Sequence, residues 1–228
     1  MLIGGLQKFS MIDYPGKTCA IIFTVGCNFK CPYCHNPELQ GGEGCNIMDE
    51  NKVLDFLKSR VGQLDAVSIT GGEATMHKDL PEFIKKIKDM GFLIKLDSNG
   101  TNPEMIEKIL DDKLVDYIAM DVKAPESKYP LVVGATVDFR KLSKSIKLII
   151  EKALDYEFRT TTVKSQLAKE DFMEIRELIK GAKKYYLQKF IPSKTLDESF
   201  LNETTYSDEE FEELKKVMEE YVDFCGIR

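Results

Sequence analysis

The chain has 228 residues, enough for one large domain or two small ones, and 43% hydrophobic against 31% charged residues let it bury a sizeable core. No apolar run approaches the ~20 residues that a membrane helix needs. The formal net charge of −6 disfavours a binder of nucleic-acid phosphates, and the lack of a signal peptide points to the cytoplasm, where no disulfide frame is expected.

In chain order, Met1 to Lys17 is a lead-in, with Pro15-Gly16 marking the turn into the first strand. Thr18 to Val25 is an apolar run of strand character, and the loop leaving it carries Cys27, Cys31 and Cys34 at C-x3-C-x2-C spacing. Pro37 to Asn46, rich in glycine, reads as loop. A helix follows from Met48 to Ser59, with Val53, Leu54 and Leu57 at helical spacing. Ala66 to Thr70 is a second strand. The Asp79 to Met90 helix places Phe83, Ile87 and Met90 on one face, and Phe92 to Asp97 is a third strand. Asn102 caps a helix that has Pro103 at its first position and Ile106, Ile109 and Leu110 as its buried stripe. Val115 to Asp121 is the fourth strand, Asp138 to Lys152 a helix, and Tyr156 to Thr162 the fifth strand. Glu170 to Lys180 is a helix with Phe172, Ile175 and Ile179 inward, and Tyr185 to Phe190 is the sixth strand. Ser207-Asp208-Glu209-Glu210 matches a capping box opening a last helix, with Phe211, Leu214, Met218, Tyr221 and Val222 on one side.

Strand and helix thus alternate six times, which implies parallel strands with right-handed crossovers. A closed eight-unit barrel takes about 250 residues. An incomplete (β/α)6 barrel therefore fits better, with a doubly wound open sheet as the alternative. Residues 1–228 read as one domain: a lead-in over 1–17, the partial barrel over 18–190, and a loop and helix over 191–228.

The cysteine triplet suits a soft metal centre. Structural zinc usually takes four protein ligands, and a cubane iron–sulfur cluster normally takes four cysteines. Three would leave one iron with an open position, where a metal centre does chemistry. Of the other cysteines, Cys19 lies within the first strand as packing, whereas Cys45 and Cys225 are candidates for a fourth ligand. In parallel β/α folds chemistry gathers at the C-terminal strand ends. Here those ends carry the cysteine loop, then Gly71-Gly72-Glu73, Asp97-Ser98-Asn99-Gly100, Asp121-Val122-Lys123, Arg159 with Thr160 to Thr162, and Gln188. Taken singly, Gly71-Gly72-Glu73 is a tight turn with a solvated Glu, Asp97 to Gly100 is a turn, and Asp121 with Lys123 is an ion pair on a loop.

The cysteine loop, with Tyr33 before the third cysteine, resembles the radical S-adenosylmethionine (SAM) superfamily. The order Ser10-x-x-Asp13-x-Pro15-Gly16, the triplet with His35-Asn36-Pro37, Gly71-Gly72-Glu73, Asp97-Ser98-Asn99-Gly100 and Met120-Asp121-Val122-Lys123 resembles the glycyl-radical-enzyme activating proteins, and among these the activators of anaerobic ribonucleoside-triphosphate reductase. The resemblance implies a 4Fe–4S cluster on Cys27, Cys31 and Cys34, whose open iron chelates the methionine moiety of SAM. It implies that the Gly71-Gly72-Glu73 turn approaches the SAM ammonium, although Ala74 stands where that family has proline. Asp97, Ser98 and Asp121, with Asn99 in the same segment, resemble residues around a monovalent cation beside the SAM carboxylate, and Lys123 resembles a lysine that approaches SAM. Arg159 is a candidate for the SAM carboxylate or ribose, and Gln188 for the adenosine pocket. His35 could contact the cluster surround or the partner, and His77 has no assigned role. The implied reaction is one-electron cleavage of SAM to methionine and a 5′-deoxyadenosyl radical, which takes a hydrogen from a glycine of the partner. The electron would come from an external donor such as flavodoxin or ferredoxin. Two rivals are a small-molecule radical SAM enzyme similar to 7-deazaguanine synthase and a non-enzymatic metal module.

Overall fold

The computed structural model describes residues 1–42 and 45–228. Eight strands form one sheet in sequence order. β1 (Ile3–Ser10) runs antiparallel to β2 (Cys19–Thr24) at one edge. All later pairings are parallel: β2 to β3 (Ala66–Gly71), then β4 (Leu93–Ser98), β5 (Tyr117–Asp121), β6 (Tyr156–Thr162), β7 (Tyr185–Lys189) and β8 (Cys225–Ile227). The crossovers carry α1 (Glu38–Gly41) and α2 (Glu50–Lys58), α3 (Leu80–Lys88), α4 (Pro103–Asp111), α5 (Tyr129–Val133) and α6 (Phe139–Lys152), α7 (Asp171–Leu178) and α8 (Asp208–Glu219). Among the described residues β1 and β8 are the two edges of the sheet and do not pair with each other, so the six β/α units make an incomplete barrel, with β8 as a short seventh parallel strand.

Two strands differ from the sequence reading. The lead-in contains β1, and the last three-residue strand was read only as chain end. A four-residue helix, α1, occupies part of the Pro37–Asn46 stretch expected as loop, of which residues 43–44 lie outside the described residues. α5 lies between the fourth strand and the Asp138 helix, where no helix is expected, and α8 ends at Glu219, short of the Tyr221 and Val222 read on its buried side; the other element ends agree to within two residues.

Strand alternation divides the side chains between two faces. Ala20, Ile22, Val67, Ile69, Ile94, Leu96, Ile118, Met120 and Phe158 point to the helices and are buried there. The opposite, inner face holds only a small apolar cluster of Cys19, Ile21, Ala66, Tyr117 and Ala119, joined by Tyr14 from the lead-in. Tyr14 packs on Tyr117 with ring centroids 5.7 Å apart, so the Pro15-Gly16 turn tucks the lead-in under the inner face. Phe23 and Leu93 pack against this cluster, and most of the rest of that face is polar and charged. Among the described residues, no helix is long and apolar enough to cross a membrane.

Helix ends follow the local chemistry. Asn102 accepts from the Met105 amide at 3.3 Å ahead of Pro103, and Ser207 and Glu210 exchange both bonds of a capping box at 3.2 and 2.9 Å. Ser207→Ala is expected to cost about 1 kcal/mol, read in a thermal melt as a Tm lower by about 2–4 °C.

Candidate active site

The cysteine loop leaves β2 and is framed by backbone bonds from several elements. The Gly26 and Cys27 amides donate to the carbonyls of Leu39 and Gln40 at 2.7 and 3.1 Å, and the Lys30 amide donates to Val133 at 2.8 Å. The Asp197 amide donates to the Pro32 carbonyl at 3.0 Å, and His35 stacks on Phe190 while its Nε2 lies 3.1 Å from the Ile191 carbonyl. His77, to which the sequence assigned nothing, sits with Nε2 2.9 Å from the Val25 carbonyl, bracing the end of β2.

Gly71 and Gly72 end β3 directly against this loop. Gly71 has φ +110°, and a methyl there would meet the Thr24 backbone nitrogen at 2.5 Å; on Gly72 it would meet the Gly26 carbonyl oxygen at 2.1 Å. These glycines are therefore required by the neighbouring strand end whatever else approaches them. Glu73 follows, and it is not the solvated side chain of a simple turn: it is only 1% exposed. Its Oε1 accepts from the Thr75 amide, the Thr75 hydroxyl and the Ser98 hydroxyl, and its Oε2 accepts from the Asn99 amide at 2.6 Å. Burial raises its pKa, and these donors oppose the rise. Ala74 opens a short 3₁₀ turn, Ala74–Met76, which Glu73 caps, so the turn forms without the proline. Asn99 extends the chain of bonds, its Nδ2 donating to Asn28 Oδ1 of the cysteine loop at 2.8 Å.

Below these turns lies an ionic network on the inner face. Asp97 pairs with Lys95 and, at 3.4 Å, with Arg159; Thr70 donates to it at 3.2 Å. Arg159 Nε donates to Asp121 at 2.9 Å, and Lys123 Nζ reaches the other Asp121 oxygen at 3.2 Å. Glu157, fully buried, takes both Arg228 nitrogens at 2.8 and 2.9 Å and the Tyr117 hydroxyl at 2.8 Å, and lies 3.9 Å from Arg159. Burial alone would raise both aspartates. Arg159 and Lys95 bring Asp97 below its ordinary value, and Arg159 and Lys123 hold Asp121 down at about 2.

One cleft of about 220 Å³ is lined by Cys27, Cys31, Cys34, Gly71, Gly72, Glu73, Asp97, Ser98, Asn99, Asp121, Lys123 and Arg159, together with Tyr33 and Thr161. The structure thus brings together all the predicted site residues but one. Gln188 is the exception: it lines an adjoining cavity with Asp13, Lys95, Glu157 and Arg228 that shares Asp97 and Arg159 with the cleft, and its Oε1 lies 3.5 Å from the hydroxyl of Thr161 in the cleft wall. Cys45 donates to the Glu38 carbonyl at 3.1 Å, Cys19 and Cys225 are fully buried, and none of the three lines the cleft. Sequence reading missed Lys95, Glu157 and Arg228. The signal available was alternation, which puts Lys95 with Asp97, and Glu157 with Arg159, on one strand face.

The donor set fits a cubane with an open iron: three thiols and no fourth in the cleft. Among the described residues no three of His, Cys, Asp or Glu converge as ligands of a single metal ion, which a cubane does not require, because each thiolate takes a different iron. Burial pushes the Cys27 thiol up to about 11 and raises Cys31, so loading a metal displaces protons. The Tyr33 hydroxyl, buried beside the cleft, has no hydrogen-bond partner among the described residues. Lys95, Lys123, Arg159 and Arg228 pair with Asp97, Asp121 and Glu157, Glu73 adds a fourth carboxylate at the rim, and Arg159 and Lys123 are the cations that line the cleft itself.

An α/β barrel left open, with three thiols and a charged cleft at its C-terminal strand ends, defines a metal-cofactor enzyme. Residues 21–188 match the model of the radical SAM superfamily, and the chain belongs to that superfamily. It is a radical SAM enzyme, and its cofactors are a 4Fe–4S cluster and SAM. Over its whole length it is 37% identical to an inferred glycyl-radical enzyme activating enzyme of Methanocaldococcus jannaschii, covering 95% of that protein. The fold is similar to SuiB of Streptococcus suis in its SAM-bound structure (TM-score 0.67, 16% identity, 91% of this chain and 49% of that one). It is also similar to a domain of pyruvate-formate lyase-activating enzyme from Bacteroides vulgatus (TM-score 0.58, 14% identity, 72% and 99%).

Two outcomes are expected. Gly72→Ala should lose about 1–3 kcal/mol in denaturant unfolding through overpacking on Gly26, whereas Gly41→Ala, whose methyl meets nothing within 4 Å, should be near neutral. Asp121 has a folded pKa of about 2 against 3.8 unfolded, so its contribution is complete above about pH 4 and is lost as pH falls through 2. Urea melts from pH 7 to 2 should show a smaller loss over pH 4 to 2 in Asp121→Asn than in the unaltered chain.

Proposed function

We propose that this chain is an activase that generates a glycyl radical on a partner enzyme, the partner being anaerobic ribonucleoside-triphosphate reductase. The single observation that carries this reading is the shared cleft: the three thiols of the β2 loop face the polar ends of β3, β4, β5 and β6. The full-length similarity to the activating enzyme of M. jannaschii supports the activase class. The reductase is favoured by the motif set from Ser10 to Lys123.

Cys27, Cys31 and Cys34 would hold three irons of the cluster and leave the fourth to the methionine moiety of SAM. When bound, the cluster and SAM supply one-electron cleavage of the sulfonium and a carbon-centred radical that removes hydrogen. The chain's own residues do the positioning. Arg159 and Lys123, the cations that line the cleft, would receive the SAM carboxylate, an anion that bidentate guanidinium suits. Gly71, Gly72 and the Asn99 segment form a wall of the cleft that would hold the methionine part. Glu73 acts at one remove in this reading: its carboxylate is committed to Thr75, Ser98 and Asn99, so it holds the wall in shape. Tyr33, buried and without a hydrogen-bond partner among the described residues, lines the cleft beside the third cysteine. The open side of the barrel is where the partner's glycine loop would enter. An external one-electron donor, flavodoxin or ferredoxin, completes the cytoplasmic system.

The test is anaerobic. The chain reconstituted with iron and sulfide should hold about four irons; reduced and given SAM, it should yield 5′-deoxyadenosine, which falls to background in Cys31→Ala. Mixed with the candidate reductase, it should produce a glycyl-radical EPR signal on that partner. Tightly bound zinc with no SAM response would overturn the radical reading; 5′-deoxyadenosine without a radical on the reductase would overturn the partner.

A further inference from the structure

The resemblance implies a monovalent cation shared by Asp97 and Asp121, and the structure does not fit one. All four oxygens of the two carboxylates already have donors. Asp97 Oδ1 takes Lys95 Nζ, and Asp97 Oδ2 takes the Thr70 hydroxyl at 3.2 Å and Arg159 at 3.4 Å. Asp121 Oδ1 takes Arg159 Nε at 2.9 Å, and Asp121 Oδ2 takes Lys123 Nζ at 3.2 Å. The Ser98 hydroxyl, the remaining oxygen expected at the cation, donates to Glu73 at 2.9 Å and accepts from the Gly100 amide at 3.0 Å.

Lys95 is the residue that decides the matter. It sits two positions before Asp97 on β4, so both side chains leave the same face. It is 3% exposed. A buried ammonium is costly unless an anion meets it, and Asp97 is the acid that does so. A potassium or sodium ion placed between Asp97 and Asp121 would stand beside three fixed cations and break their bonds. An ammonium is a compact, single positive charge with donors of its own, the same service a bound alkali ion would give a carboxylate.

We propose that Lys95 is a built-in replacement for the monovalent cation: its ammonium neutralises Asp97, and SAM binds in this cleft without potassium or sodium. The inference rests on the reading that SAM occupies the cleft, and the experiment separates the two.

The reconstituted chain is titrated with SAM under anaerobic conditions, in potassium chloride and in tetramethylammonium chloride at equal ionic strength. Binding is followed by equilibrium dialysis, with ⁸⁶Rb⁺ as a direct probe of a bound cation. The expected result is a SAM Kd that agrees between the two salts within about twofold, with no Rb⁺ retained, whereas in Lys95→Met the Kd improves about tenfold or more with potassium, and about one Rb⁺ is retained. Lys95→Arg, which keeps the charge, should remain indifferent to the salt. A tenfold potassium dependence or one retained Rb⁺ in the unaltered chain overturns the inference and leaves the SAM site standing, and that arm needs no variant to fold. A folded Lys95→Met that stays indifferent to potassium also overturns it. Absence of SAM binding in both salts overturns the site reading itself, and the inference with it.

Discussion

A carboxylate buried at the end of a strand governs the shape of this active site. Glu73 cannot hydrate its charge, and leaving a buried charged group without donors costs more than the ~1–3 kcal/mol of an unmade neutral bond. Its donors come from its own turn, through Thr75, and from the next strand end, through Ser98 and Asn99. Its backbone amide in turn donates to Gly26 at 2.7 Å, and Asn99 reaches Asn28 in the cysteine loop. Three separate strand ends are thereby locked into one rim. The glycines at positions 71 and 72 belong to the same constraint, because only a residue without Cβ lets the two strand ends approach so closely.

Inside the rim the logic is electrostatic. A half-barrel of this size could fill its inner face with apolar side chains, as the outer face does. Instead β4, β5 and β6 present Lys95, Asp97, Asp121, Glu157 and Arg159 inward. Buried ion pairs of this kind are poor sources of stability, since desolvation offsets most of the attraction. Their use is direction: charges fixed by mutual hydrogen bonds need not reorganise when a charged ligand arrives. Arg159 is the hinge of the set, touching Asp97, Asp121 and Glu157 at once. Glu157 is itself anchored by Arg228, the residue after β8, whose guanidinium also lies 3.4 Å from the centre of the Tyr186 ring. The short last strand thus completes the ionic frame at the open edge.

What the sequence made legible follows from range. β2, β3, β4 and β5 are mostly apolar runs ended by turn formers, and β6 and β7 are rich in aromatic and β-branched residues, so composition and punctuation locate them. β1, Ile3-Gly-Gly-Leu-Gln-Lys-Phe-Ser10, mixes glycine and polar residues, and becomes a strand through pairing with β2. β8 has three residues, too few for any period to register. The thiols and the polar strand ends were legible because parallel β/α topology sends them to one mouth. Their pairings were not. Glu73 reads as solvated until Ser98 and Asn99, 25 and 26 residues later, are folded against it. Lys95 hides as one polar residue in the apolar run from Phe92, and nothing local to β7 shows that Gln188 lines the cavity adjoining the cleft at Asp97 and Arg159. Each of these depends on contacts between strands, which no local window contains.

The same range argument bears on how the metal loop is made. In small metal-dependent modules the loop's shape comes from the metal, and binding energy is folding energy. Here the loop from Gly26 to Pro32 takes its backbone bonds from α1, from α5 and from the segment at Asp197, and the Gly134 turn after α5 (φ +60°) presses against the Lys30 carbonyl. Phe29 and Tyr33 are buried in the main core. The loop's frame is therefore set by the whole β/α scaffold, whereas only the thiol protonation, raised by burial, opposes loading. A scaffold that fixes its ligands this way can leave one metal position open for chemistry, because the coordination sphere is not needed to hold the protein together.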